Sequence, residues 1–172
     1  FLERLNRRYP DLLIEGCSGG GGRFDAGMLY YAPQIWCSDN TDAVDRLAIQ
    51  YGTSFGYPVS AVGSHVSAVP NHQTGRITPM KTRGVTAMAG SFGYELDLSK
   101  ITAEEQACVR EQIADFHKFW PLIHDGDYYR LSGPSRPDCQ KAVAAWEFAA
   151  PDKSEVLVNL VALECHGNPP DR

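Results

Sequence analysis

Apolar and polar positions in the first part of the chain follow two periodicities, that of a buried strand and that of an amphipathic helix. Apolar residues within the first nine are spaced as on one helix face, and Pro10 ends that segment before the apolar residues 12–14. A second short strand is predicted at 34–37, and a helix at 41–50 follows it. A helix that leads directly into a buried strand is typical of α/β proteins.

The same order of strand, loop and helix continues through the next fifty residues. A third strand is predicted at 57–62, followed by a long polar loop at 63–75. Pro79 is expected to begin a helix, and a fourth strand is predicted at 91–96. Apolar and aromatic strands that alternate with helices predict a parallel sheet covered by helices.

The pattern changes after one further helix. Thr102 and Glu105 have the spacing of a capping box, and the helix that they begin is predicted to reach about Phe119. Farther on, glycine and proline separate short segments, of which 142–148 and 155–163 are joined by Pro151-Asp152-Lys153-Ser154. That turn predicts an antiparallel hairpin. We therefore predict an α/β part over residues 1–125 and a separate antiparallel β part over residues 126–172.

The composition is that of a soluble globular protein. The 172 residues are 43% hydrophobic and 22% charged, and no apolar run approaches the roughly 20 residues of a membrane span. A net charge of -5 without basic runs argues against nucleic acid or an anionic membrane as a partner. Five widely spread cysteines favour reduced thiols and a cytoplasmic setting. A secretion signal upstream of Phe1 remains an open alternative.

A glycine-rich stretch after the first strand allows several chemistries. Gly16-Cys17-Ser18-Gly19-Gly20 matches the nucleophile elbow of serine hydrolases, which would make Ser18 the nucleophile. The elbow needs a helix directly after the serine, whereas four glycines follow here. Phosphate-binding loops lack support, because no Gly-Lys-Ser/Thr is present and Asp25 occupies the last glycine of the dinucleotide fingerprint. Glycines that merely allow close backbone packing are the remaining alternative.

A carboxylate after the second strand is the stronger candidate for chemistry. Asp39 follows an apolar strand and precedes a helix, which is where parallel α/β folds place catalytic groups. Its structural alternative is the helix N-cap, a role that its neighbours Ser38, Asn40, Thr41 and Asp42 can also fill. Asp25 and Asp97 are competing carboxylates. The histidines and cysteines have no zinc-type spacing, so we expect no metal site.

Several motifs occur together between the first residues and about Leu98. They are Cys17-Ser18-Gly19-Gly20-Gly21, Arg23-Phe24-Asp25, Gly27-Met28-Leu29-Tyr30-Tyr31, Ser38-Asp39-Asn40-Thr41-Asp42-Ala43, His65-Val66-Ser67-Ala68-Val69-Pro70-Asn71-His72 and Phe92-Gly93-Tyr94-Glu95-Leu96. In this order the motifs resemble those of the family 36 glycoside hydrolases, the bacterial and fungal α-galactosidases. The resemblance implies the second half of a (β/α)8 TIM barrel, strands five to eight, followed by the start of an antiparallel β-sandwich domain.

The resemblance also implies an activity and roles for individual residues. The family hydrolyses terminal α-linked galactose, as in melibiose and raffinose, with retention of configuration and without a cofactor. Asp39 falls on the position of the general acid/base, and Cys17, Ser18, Gly19 and Gly20 fall on the segment that contacts galactose. The family's nucleophile belongs to a Lys-Trp-Asp motif that this sequence lacks, so we expect it to lie upstream. Two departures, Ala26 for Pro and Cys37 for Thr, affect loop stiffness more than chemistry.

These implications lead to a specific expectation for the chain. The intact protein is expected to act on small oligosaccharides and to form a homo-oligomer. The 172 residues alone are expected to hydrolyse nothing, because they lack the nucleophile. Two alternatives remain open, a serine hydrolase that uses Ser18 and a non-catalytic fragment that only binds galactose.

Overall fold

A computed structural model describes residues 1–134 and 143–163 and contains two β-sheets. The first sheet is parallel, with four strands in chain order. Its strands are β1 (Glu15–Gly16), β2 (Gln34–Trp36), β3 (Val62–Ser67) and β4 (Ser91–Glu95). The second sheet is antiparallel, with three strands in chain order. Its strands are β5 (Asp127–Ser132), β6 (Val143–Ala149) and β7 (Val156–Ala162).

Helical segments connect the parallel strands and cover one face of the sheet. The α segments are α1 (Leu2–Arg8), α2 (Ser18–Gly21), α3 (Ala26–Leu29), α4 (Ala43–Thr53), α5 (Met80–Ala87) and α6 (Ala103–Asp125). Short 3₁₀ helices occupy Val59–Ala61 and Leu98–Lys100. No helix among the described residues is long and apolar enough to cross a membrane.

The two faces of the parallel sheet differ in character. Val66 pairs with Tyr94 in register, so both side chains lie on one face, and that face packs under α5 and α6 in a core with Met80, Ala87 and Val109. Alternate residues of β3 and β4, including His65 and Glu95, lie on the opposite face, which carries mostly polar and small residues. One face therefore builds the core, and the other is available for chemistry.

A second core lies between the antiparallel sheet and the helices. The second half of α6 packs Leu122 and Ile123 against Trp146 and Phe148 of β6, and Leu47 of α4 joins the same cluster. Gly126 ends α6, and β5 begins at the next residue. This core therefore fixes the antiparallel sheet against the helices of the parallel one.

Most predicted elements are present, with the capping box of Thr102 and Glu105 confirmed by both of its hydrogen bonds. The prediction of a third strand at 57–62 is wrong. A 3₁₀ helix occupies Val59–Ala61, and the strand is β3, which runs through part of the predicted loop. Strand β1 likewise begins after the predicted residues 12–14. In both places the strand forms where neighbouring strands supply hydrogen bonds, rather than where the sequence is most apolar.

Two further differences concern the end of α6 and the β part. Helix α6 continues past Phe119 to Asp125 with Pro121 inside it, because burial of Leu122 and Ile123 favours the additional turn. The predicted antiparallel hairpin is present as β6 and β7, whereas β5 was not predicted. Ala142, Pro137, Cys139 and Cys165 lie outside the described residues.

Candidate active site

The glycine-rich stretch forms a single turn of left-handed backbone, Ser18–Gly21, which we call the glycine turn. The φ angles of its four residues are 59°, 64°, 76° and 90° in chain order. The amides of Gly21 and Gly22 donate to the carbonyls of Cys17 and Ser18 at 3.0 and 3.2 Å. Left-handed backbone costs an ordinary L-residue about 1–2 kcal/mol per position, so consecutive glycines are what makes this turn possible.

The glycine turn lies directly against the chain that leaves β2. A Cβ built on Gly20 would lie 2.9 Å from the backbone nitrogen of Asp39 and 3.3 Å from its Oδ2 atom. A Cβ on Gly21 would lie 2.6 Å from the carbonyl oxygen of Cys37. The ends of two adjacent parallel strands thus meet at one place, and only glycine allows so close an approach.

Asp39 is exposed at this place and is not used as a helix cap. The N-cap of α4 is Asp42, whose Oδ1 accepts hydrogen bonds from the amides of Val44 and Asp45 at 2.9 and 3.0 Å. Within the described residues no group donates a hydrogen bond to the Asp39 carboxylate. The structural alternative for Asp39 is therefore wrong, and its carboxylate is available to a ligand.

The segment that carries Asp39 is fastened to the loop between β3 and α5, residues 68–79. Gln73 accepts a hydrogen bond from the amide of Thr41 at 3.0 Å, and Asn71 donates to the Thr41 hydroxyl at 3.0 Å. Thr74 donates to Asp42 at 2.7 Å, and Arg76 forms an ion pair with the same carboxylate. Asn71 and Asp42 are both buried. These contacts hold the two loops as one unit.

The same contacts determine the ionisation of Asp42. Burial by itself raises its pKa, but hydrogen bonds from Thr74 and from the amides of Asp45 and Val44 oppose that effect, as does the charge of Arg76. The net result is a pKa of Asp42 below the usual value. Asp42 is thus an ionised structural anchor three residues after the candidate catalytic carboxylate.

On the polar face of the sheet, His65 lies between an aromatic ring and a carboxylate. The imidazole of His65 stacks on the buried ring of Trp36, with centroids 4.6 Å apart and planes 19° apart. His65 Nδ1 lies 3.6 Å from an oxygen of Glu95 on the next strand. The sequence placed His65 in a loop, whereas it lies inside β3. His72 is in the loop and is exposed.

The competing candidates have ordinary structural roles. Asp25 caps α3 by accepting from the amide of Met28 at 2.9 Å, and Asp97 caps a 3₁₀ helix by accepting from Ser99. Ser18 is followed by left-handed backbone instead of the right-handed helix of a nucleophile elbow. Among the described residues no histidine is hydrogen-bonded to Ser18, and no cluster of three metal-binding side chains occurs. Nothing in the site therefore supports the serine hydrolase alternative.

Two cysteines lie near the site. Cys17 precedes the glycine turn and is exposed, and Cys37 is half-buried where β2 ends. Neither forms a disulfide, and the same holds for Cys108 on α6. Cys17 thus presents a free thiol at the rim beside the turn, where the sequence-based interpretation expects the sugar.

Residues 1–126 match the sequence profile of a known family, described as Melibiase. This match includes the whole parallel sheet, the glycine turn and Asp39. The chain belongs to the melibiase family. The solved structures similar to it include proteins described as family 36 α-galactosidases, which confirms the resemblance seen in the motifs.

Individual relatives in the melibiase family are similar over nearly the whole chain. Identity is 61% to the bifunctional α-galactosidase/sucrose kinase AgaSK of Mediterraneibacter gnavus and 52% to the α-galactosidase AgaA of Geobacillus stearothermophilus, each over 98% of this chain. The chain spans only 18% and 23% of the length of those two proteins.

Solved structures agree with this assignment. The galactosidase domain of AgaSK superimposes with a TM-score of 0.93 at 60% identity, over 98% of this chain and 23% of the other. A structure of AgaA in complex with raffinose gives a TM-score of 0.93 at 51% identity, with the same coverage. The fold is therefore part of a (β/α)8 barrel followed by part of an antiparallel β-domain, as predicted.

Sequence reasoning missed the loop that fastens the Asp39 segment. The sequence pattern places Asn71, Gln73 and Thr74 only in a polar loop or a motif, and it assigns no role to Arg76. Their function depends on contacts across about thirty residues of sequence, which hydrophobic periodicity does not report. The one available signal was the density of amide and hydroxyl side chains at 71–74, which is typical of loops held by side-chain hydrogen bonds.

Proposed function

We propose that the protein containing this chain is a retaining α-galactosidase in which Asp39 is the general acid/base. The observation that carries the proposal is the exposed carboxylate of Asp39, which lies at the end of β2 against the glycine turn and has no structural role. Its support is membership of the melibiase family and the α-galactosidase names of the relatives. A glycosidase of this kind needs no cofactor.

The mechanism requires a second carboxylate on the far side of the anomeric carbon. In retaining glycosidases the two carboxyl groups lie about 5–5.5 Å apart, and one of them forms a covalent glycosyl-enzyme. Asp39 in its neutral form donates its proton to the leaving glycosidic oxygen as the nucleophile attacks. Asp39 as a carboxylate then removes a proton from the water that releases galactose. The nucleophile belongs to a part of the protein outside these residues.

The glycine turn and Cys17 form the wall that recognises the sugar. Left-handed glycines expose backbone groups that side chains would otherwise cover, and the small thiol leaves room for an axial hydroxyl. AgaA has been solved with raffinose and with stachyose, so α-galactosyl oligosaccharides of that kind are the proposed substrates. We also propose a homo-oligomeric, cytoplasmic enzyme.

Replacement of Asp39 by Asn in the full-length protein tests the assignment. kcat/KM reports formation of the glycosyl-enzyme, so it should fall by about 10²–10⁴-fold on melibiose, whose leaving group needs protonation. It should change little on 2,4-dinitrophenyl α-galactoside, whose leaving group does not. Azide should restore kcat on the aryl substrate and yield α-galactosyl azide, since it attacks the intermediate without base catalysis.

A matched variant serves as the control. Asp25→Asn changes another exposed carboxylate close in sequence and keeps a side-chain oxygen that can still cap the same four-residue helix. It should leave the ratio of the two kcat/KM values unchanged. Wild-type activity of Asp39→Asn on both substrates would refute the role of Asp39, and absence of α-galactosidase activity in the wild-type full-length protein would refute the function itself.

A further inference from the structure

Arg46 of α4 is a buried cation close to the site. Only 2% of the surface of Arg46 is exposed to solvent. Among the described residues no carboxylate lies within ion-pair distance of it, whereas Arg76 and Arg83 both have such partners. Burial lowers the pKa of Arg46, as expected for a desolvated cation. Burial of a charge without an opposite charge nearby costs free energy, so the contacts that compensate this cost are informative.

The guanidinium of Arg46 joins the chain just after β2 to the start of β3. Nη1 donates to the carbonyl of Ser38 at 3.1 Å, and Nη2 donates to the carbonyl of Gly63 at 2.6 Å. Nε donates to Gln50 at 3.3 Å, and the guanidinium carbon lies 4.3 Å from the ring centroid of Trp36. All three kinds of nitrogen in the planar group are used, and lysine cannot reproduce this geometry.

These contacts occur where the backbone pairing between β2 and β3 ends. The last register pair between β2 and β3 is Trp36 with Gly63. Ser38 lies two residues farther on, beyond the ladder, and directly precedes Asp39. The two hydrogen bonds of Arg46 therefore connect β3 to the chain beyond the last paired residue of β2. It fixes the peptide that carries the candidate acid/base.

The next residue after Asp39 is fixed from the other direction. The amide of Asn40 donates to the hydroxyl of Ser38 at 3.1 Å, and its side chain donates to Asp45 at 2.8 Å. Asp39 is thus held between two anchored neighbours while its own carboxylate stays free. That arrangement suits a group that must deliver a proton to one oxygen atom.

We propose that Arg46 is a positioning residue for Asp39: its guanidinium bridges the carbonyls of Ser38 and Gly63 and thereby sets the place from which Asp39 donates its proton. This inference rests on the proposed function. A displacement of about 1 Å at a catalytic group can cost on the order of 100-fold in rate, so loss of the bridge should be visible in the chemistry.

Arg83 of α5 provides a matched control. It is also buried, and it also donates to two backbone carbonyls, those of Thr78 and Ser67, at 2.9 and 2.7 Å. Its carbonyl partners lie in the next strand-to-helix unit, and neither adjoins Asp39. Arg83→Lys is therefore the same substitution at a second buried arginine, which differs in its ion pair with Glu105 and makes no hydrogen bond to a residue next to Asp39.

The experiment measures Arg46→Lys and Arg83→Lys in the full-length enzyme with melibiose and 2,4-dinitrophenyl α-galactoside. Arg46→Lys should lower kcat/KM on melibiose by about 10–100-fold and on the aryl substrate by less than about twofold. Azide should partly restore its kcat on the aryl substrate. Arg83→Lys should lower the melting temperature without changing the ratio of the two kcat/KM values.

The outcomes separate the two proposals. Equal losses of Arg46→Lys on both substrates, with no effect of azide, would show a purely structural role and overturn the inference. If Arg46→Lys does not fold, Arg46→Met, which removes the buried charge, is measured in the same way and decides the question. If Asp39→Asn itself shows no dependence on the leaving group, the assignment of the acid/base fails, independently of Arg46.

Discussion

Gly20 and Asp39, nineteen residues apart in the sequence, are in such close contact that no side chain fits between them. The position that a Cβ of Gly20 would take is 2.9 Å from the Asp39 nitrogen and 3.2 Å from its Cγ. Gly20 also has a φ of 76°, in the left-handed region. The glycine turn therefore forms one wall of the space that Asp39 faces, and the position of the carboxylate depends on that wall.

Gly20→Ala should consequently damage catalysis as well as stability. The methyl group collides with the backbone and carboxylate of Asp39, so the acid/base must move. We expect kcat/KM on melibiose to fall by about 10–100-fold in the full-length enzyme. Left-handed alanine should also lower the free energy of unfolding by about 1–2 kcal/mol. Steady-state kinetics and thermal unfolding measure the two effects separately.

Gly75→Ala is the control for strain alone. Gly75 has a similar φ of 71°, and nothing lies within 4 Å of the position of its Cβ. Its melting temperature should fall by a similar amount, with kcat/KM much less affected than in Gly20→Ala. If both variants lose activity equally, backbone strain and not contact with Asp39 is responsible.

Asp42 should make stability depend on pH in a defined direction. Its pKa is lowered in the folded protein, so the unfolded state binds the proton more readily. The stabilisation is therefore complete above the usual pKa of 3.8 and is lost as the pH falls toward the lower folded value. Asp42→Asn should reduce the melting temperature at neutral pH, and its difference from wild type should shrink below about pH 4.

Asp115→Asn is a suitable control for that pH series. Asp115 is exposed on α6, and within the described residues it has no hydrogen bond or ion pair. Its melting temperature should follow that of the wild type across the series. A difference between Asp42→Asn and wild type that grows as the pH falls would contradict the assignment of Asp42 as an ionised anchor.

Two helical glycines should respond to alanine with opposite signs. A Cβ on Gly84 of α5 would overlap the buried side chain of Gln112, which donates to the carbonyl of Met80 at 2.9 Å and accepts from Tyr94 at 2.7 Å. Gly84→Ala should therefore destabilise by about 1–3 kcal/mol through overpacking. Gly52 of α4 has open space at the same position, so Gly52→Ala should stabilise by about 0.5–1 kcal/mol.

Thermal unfolding of the two glycine variants provides the check. The prediction is tested by whether each variant is more or less stable than the wild type, more than by the size of the difference. A stabilising Gly84→Ala would mean that Gln112 moves aside at no cost, and the packing of α5 against α6 would then be looser than the contacts indicate. Activity should change little in Gly52→Ala, because that residue lies far along α4 from the Asp39 segment.

The hydrogen bond between Asn71 and Thr41 should contribute measurably to holding the two loops together. Both residues are buried, and the bond length is 3.0 Å. Asn71→Ala and Thr41→Val each remove one partner, and the double variant removes both. We expect a coupling of about 0.5–1.5 kcal/mol in a double-mutant cycle followed by unfolding. Strictly additive effects would contradict a direct contribution of this bond.

Local patterns in the sequence specified much of the fold. The alternation of strand and helix, the capping box of Thr102 and Glu105, and the hairpin turn after β6 depend on near neighbours, so their signals are present in short windows. The errors have a common cause. Strand β3 contains Gly63, Ser64 and His65, which have little intrinsic strand preference, and it forms because β2 and β4 pair with both of its edges.

The amino-acid sequence also identified the candidate residues of the site. The glycine run, Asp39 and the polar loop at 71–74 can all be read from residue types and order. It did not determine what each of them does in the structure. Asp42 accepts hydrogen bonds from the amides of α4 and is also bound by Thr74 and Arg76, which lie about thirty residues later in the sequence. The carboxylate of Asp39 has no such partner among the described residues, so it is free.

How these groups meet depends on contacts between residues that are far apart in the sequence. The left-handed turn packs Gly20 against Asp39 and Gly21 against Cys37, where a Cβ has no room. Arg46 donates to the carbonyls of Ser38, just after β2, and Gly63, at the start of β3, which are about twenty-five residues apart. Residue type and local order set which groups are available, whereas long-range packing sets their distances. Proton transfer depends on those distances.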